Sequence, residues 1–76
     1  MSQKVTLQVI GSQTMHCSGC ERSAEFSLAM VVGVQQAKAN HHMQLITVTY
    51  EPDQVTVVKI QATLEEIGYI TTPVAS

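Results

Sequence analysis

At 76 residues the chain has room for one domain and one modest core, and residues 1–76 are read as a single domain. An apolar share of 45% against 13% charged residues sets it among globular rather than disordered chains, and Phe26, Tyr50 and Tyr69 are its only aromatics. Four basic residues (Lys4, Arg22, Lys38, Lys59) against six acids give a formal charge of −2 with no basic stripe, which argues against a nucleic-acid partner.

Val5, Leu7 and Val9 alternate with Lys4, Thr6 and Gln8, which predicts a strand with one buried face. Gly11-Ser12-Gln13-Thr14 breaks the alternation and predicts a loop, which delivers Met15-His16-Cys17-Ser18-Gly19-Cys20. Beyond Cys20, the residues Ala24, Ser27, Leu28 and Val31 fall on one face of an amphipathic helix, with Glu21 in its first turn and Gly33 as its stop. A second strand is expected from Val34 to Asn40, on weak apolar content. His41-His42-Met43-Gln44 then predicts a turn, and Ile46, Val48 and Tyr50 a third strand. Past Glu51-Pro52-Asp53, the spacing of Val57, Ile60, Leu64 and Ile67 predicts a second helix, with Thr56 or Asp53 as N-cap and Gly68 at C′. Tyr69 to Val74 supplies the last strand.

The order is therefore βαββαβ. Right-handed crossovers turn it into an α+β, ferredoxin-like sandwich: a four-stranded antiparallel sheet with two helices on one face. Short connections place the 15–20 loop, the 41–44 turn and the Gly68-Tyr69 junction at one end, which is where chemistry is expected. No charged n-region precedes an apolar run, and no stretch nears the ~18 apolar residues of a membrane span. The expectation is a soluble cytoplasmic protein without membrane insertion.

Cys17-Ser18-Gly19-Cys20 at a loop-to-helix junction brings two sulfurs within reach of one metal ion. Backbone N–H groups and the positive end of the helix dipole favour thiolate, the form that binds metal. Soft sulfur selects Cu(I), and also Zn(II), Cd(II) or Hg(II), over hard cations. Two thiolates complete a linear site for Cu(I) or Hg(II) but only half of a structural zinc site. Thiol–disulfide redox chemistry is the alternative use of such a pair. It lacks support in the intervening residues, which are not Gly-Pro, and in the chain length, which is short for a thioredoxin-like fold.

Thr14-Met15-His16-Cys17-Ser18-Gly19-Cys20 resembles the Gly-Met-x-Cys-x-x-Cys signature of heavy-metal-associated domains. That family covers copper chaperones, N-terminal domains of copper-transporting P-type ATPases and mercury-binding proteins. Gly33-Val34, Thr47-Val48-Thr49-Tyr50-Glu51-Pro52 and Leu64-Glu65-Glu66-Ile67-Gly68-Tyr69 extend the resemblance over nearly the whole chain, and Gly-Tyr at the second helix end is similar to bacterial copper chaperones. The resemblance implies Cys17 and Cys20 as metal ligands, Met15 as a buried anchor and Tyr69 near the metal loop. It further implies a non-enzymatic metallochaperone carrying Cu(I), with Zn(II) or Hg(II) as alternative ions. The implied partner is a metal-transporting P-type ATPase or another CxxC protein, with the chain acting as a monomer or a metal-bridged dimer. An excised domain of a heavy-metal pump is the alternative within the same family. Departures from the family pattern stand out: Gly11-Ser12-Gln13 is extra relative to its loop, Thr14 replaces its Gly, and His16 occupies the variable position before the first cysteine. His16, His41 and His42 are read as solvated side chains ahead of metal ligands.

Overall fold

Val5, Leu7 and Val9 face inward from β1 (Gln3–Val9), as their alternation requires, while Lys4 and Gln8 stay exposed. The computed structural model describes residues 2–16 and 18–75. In order, β1 is followed by α1 (Ser18–Ala29), β2 (Val34–Asn40), β3 (Leu45–Tyr50), α2 (Val57–Glu66) and β4 (Thr71–Ala75). The strands form one antiparallel sheet in the order β2-β3-β1-β4, so the βαββαβ chain adopts the expected ferredoxin-like arrangement. Val5 pairs with Val48 and Leu7 with Ile46, which lines up the inward rows of the two central strands.

Ala24 and Leu28 of α1 and Ile60 and Leu64 of α2 close over that face. Leu7, Leu28, Ile46, Val48, Ile60 and Leu64 are fully buried and form the middle of the core. Thr56 caps α2 by accepting a 3.2 Å hydrogen bond from the Lys59 N–H. At the other end of α2, Gly68 takes φ +101°, its N–H donates to Glu65 O and the Tyr69 N–H to Leu64 O, both at 2.9 Å. This is a Schellman ending, in which a left-handed residue lets two last-turn carbonyls find donors. Thr56→Ala is expected to cost about 1 kcal/mol in urea unfolding, the usual worth of a threonine N-cap.

Two boundaries and one register differ from the sequence expectation. Helix α1 stops at Ala29, and Gly33, at φ +101°, serves the turn into β2 instead of the helix end. A Cβ there would lie 2.8 Å from Gln54 Cβ, because the α1–β2 and β3–α2 turns pack together. Strand β4 begins at Thr71, leaving Tyr69 in the junction. Strand β2 is present as expected, but its register against β3 shifts between Val34 and Gln36. Gln35 is the extra residue of that bulge, and its side-chain amide donates to Glu51 Oε1 at 2.8 Å.

Candidate metal centre

The topology brings the 15–20 loop, the 41–44 turn and the α2–β4 junction to one end, and side chains tie the three together. Gln44 is central to the tie. Its Oε1 accepts from the Met15 N–H at 2.9 Å, and its Nε2 donates to Met15 O at 2.7 Å and His41 O at 2.5 Å. One side-chain amide therefore pairs with both peptide groups of the residue that anchors the loop. Met15 itself is 2% exposed and packs in the core, as the resemblance implied. The added Gly11-Ser12-Gln13 segment leans on the junction. Ile10 N–H donates to Ile70 O at 2.8 Å, and a Cβ on Gly68 would come 2.5 Å from Gln13 Oε1.

Cys20 lies in the first turn of α1, half-buried and packed against the hydrophobic core. Its position at the helix start is the one that favours thiolate. Ser18 and Gly19 are exposed ahead of it. Cys17, expected as the second ligand, lies outside the described residues. His16 is exposed beside the loop, in line with the solvated reading. Tyr69 is 5% exposed and belongs to the same core cluster as Met15, so its ring packs inward at the site end. Among the described residues, no three His, Cys, Asp or Glu side chains gather into a group able to hold a metal ion.

His41 departs from the expected solvated turn. Its backbone N–H donates to Glu21 Oε2 at 2.6 Å, and its ring Nδ1 lies 2.7 Å from the same oxygen. The Glu21 carboxyl is held below its ordinary value, first by the backbone N–H of His41 and then by its ring. One turn later on α1, Glu25 Oε2 accepts the Ala39 N–H at 2.9 Å. Two carboxylates at helical spacing thus satisfy one donor in β2, the outer strand at that edge of the sheet, and one just past its end. A lowered folded-state value means that the Glu21 contribution is present above the unfolded value and is lost as pH falls through the lowered one. Thermal unfolding of the metal-free protein should therefore show Glu21→Gln less stable near neutral pH. The two curves should converge as pH drops below about 4.5, the group's ordinary value.

The pattern of the heavy-metal-associated domain family matches residues 9–69, most of the chain. A zinc-transporting ATPase of Synechocystis sp. is 36% identical over 55 residues, which cover 72% of this chain but 8% of that protein. Thus the chain corresponds to a small fraction of that relative's length. A copper binding domain from a P-type ATPase superposes with a TM-score of 0.87 at 28% identity, covering 99% of this chain and 96% of that one. The CopZ metallochaperone superposes at 0.83 with 27% identity, over 92% of this chain and all (100%) of that one. With its pattern matched from residue 9 to residue 69, the chain belongs to the heavy-metal-associated domain family.

Proposed function

We propose that the chain is a metal carrier that binds one Cu(I) through Cys17 and Cys20 and passes it to a CxxC domain of a metal-transporting P-type ATPase. The observation that carries this reading is the setting of Cys20: the first turn of α1, half-buried, behind an exposed Ser18-Gly19 pair. Helix-start N–H groups stabilise a thiolate there, and soft thiolates prefer Cu(I) to hard cations. Small residues at positions 18 and 19 let a partner approach the loop closely, so ligand exchange can proceed with one new bond formed before an old one breaks. No covalent step on an organic substrate is involved, which makes this carriage and not catalysis. Glu21, the acid nearest the cysteines in sequence, is already engaged by His41, and a two-sulfur donor set suits linear Cu(I) better than four-coordinate zinc.

The likeness to a zinc-transporting ATPase favours a second reading, a Zn(II)-delivering domain of a pump. Anaerobic titration of the reduced protein against a chromophoric Cu(I) chelator, repeated with Zn(II), decides between them. The Cu(I) reading expects one tightly held Cu(I) per chain, lost in Cys17→Ser and in Cys20→Ser. Retention of full Cu(I) affinity in both variants would end it, and tight Zn(II) binding through the cysteines with weak Cu(I) binding would install the second.

A further inference from the structure

Glu21 orients His41 in a way that the cysteine chemistry does not use. An ionised carboxylate only accepts hydrogen bonds, so the 2.7 Å contact makes His41 Nδ1 the donor. In neutral imidazole the lone pair is then on Nε2, directed away from Glu21. A carboxylate behind a histidine in this manner is the arrangement that fixes tautomer and ring orientation in metal-binding histidines and raises their basicity. The backbone N–H of His41 donates to the same carboxylate oxygen, so the residue is held at two points.

His42 stands next to it. Its ring centroid is 4.0 Å from that of His41, with the planes tilted by 36°. Asn40 Oδ1 accepts the N–H groups of His42 and Met43, at 2.9 and 3.2 Å, which folds the turn so that the two rings stay on one side. Two imidazole nitrogens on one tetrahedral ion lie about 3.3 Å apart, as zinc–nitrogen distances of roughly 2.0–2.1 Å require. The rings stand too close for this as they are, so the exposed His42 side chain has to change rotamer, opening the centroids from 4.0 Å to about 5 Å so that both lone pairs converge. Imidazole is a borderline donor that suits Zn(II), Cu(II) and Ni(II), whereas Cu(I) is drawn to thiolate.

We propose that the His41-His42 turn is a second metal site, which takes a borderline divalent cation such as Zn(II) on two imidazoles, with Glu21 as the carboxylate behind His41. Water or a side chain from another molecule fills the remaining positions. The site stands apart from the cysteine pair in donor chemistry, and it does not depend on what Cys17 and Cys20 bind.

The test uses the full chain carrying Cys17→Ser and Cys20→Ser, which removes sulfur from the competition. Zn(II) is titrated against a chromophoric chelator, and histidine ring protons are followed by NMR. One Zn(II) per chain is expected, with the His41 and His42 ring signals shifting together. His41→Ala and His42→Ala should each weaken binding at least tenfold, Glu21→Gln by roughly tenfold or more, and His16→Ala should leave it unchanged. His42→Ala keeps the bond between Glu21 and His41, so it remains informative if His41→Ala unfolds the turn. Absence of saturable Zn(II) binding in the cysteine-free chain would overturn the site. So would ring signals of His41 and His42 that stay still on Zn(II) addition, or loss of binding in His16→Ala.

Discussion

Met15→Ala should unfold much of the metal-free protein at room temperature. The side chain is 2% exposed, and truncating a buried methionine to alanine costs roughly 2–5 kcal/mol in lost transfer energy and cavity. A single core of this size supplies about 3–5 kcal/mol of net stability, so one truncation consumes most of it. Met15→Leu keeps the volume and should cost under about 1.5 kcal/mol. The pair of variants also separates anchor from ligand. Leucine preserves packing but has no sulfur, so an anchoring role requires Met15→Leu to retain both its urea midpoint and its Cu(I) affinity. A Met15→Leu protein that is folded yet has lost Cu(I) would make the thioether a ligand and remove the anchor interpretation.

Much of this arrangement is legible in the residues because local patterns carry it. Inward rows at period two mark β1 and β3. Val57, Ile60 and Leu64, closed by Thr56 and Gly68, mark α2 nearly to the residue. Legibility fails where the pattern is interrupted or the partner is distant. The bulge at Gln35 puts two exposed glutamines in a row, which blurs the alternation of β2. Val31 packs against the core beyond the end of α1, so it continues the helical apolar face up to Gly33 and makes the helix read longer than it is. The ties at the site end are harder still. Strand order alone sets the 41–44 turn one strand away from β1, yet α1 packs along β2 and carries Glu21 to His41. The four-residue spacing of Glu21 and Glu25 is visible in the sequence, but nothing local says that the backbone donors of Ala39 and His41 stand opposite them. The Gln44 clamp is invisible for the same reason, since it joins residues 29 apart in the chain.

Replacing Gln44 should loosen the candidate metal loop from a distance. Gln44 takes φ +56°, a left-handed conformation that costs a non-glycine residue about 1–2 kcal/mol. Something must hold it there, and four hydrogen bonds do: the three from its side-chain amide, and its own carbonyl, which accepts the Val9 N–H at 2.9 Å. Gln44→Ala strips the amide and leaves the Met15 N–H, Met15 C=O and His41 C=O seeking water, at a cost of about 1–3 kcal/mol. Gln44→Glu should do worse, because a carboxylate oxygen then faces two carbonyl oxygens to which the amide had donated. Gln44→Asn discriminates between explanations. Asparagine accepts left-handed φ more readily than glutamine but is one methylene too short to span Met15. If backbone conformation governed the turn, Gln44→Asn would stabilise the protein; if the clamp governs it, all three variants lose stability. Hydrogen exchange at the Met15 amide reads the clamp directly, and each variant should exchange there at least tenfold faster. Met15 is two residues before Cys17, so the same loosening should speed the loss of Cu(I) to a chelator. An unchanged Met15 exchange rate in Gln44→Ala would mean that core packing of the Met15 side chain, and not the amide, holds the loop.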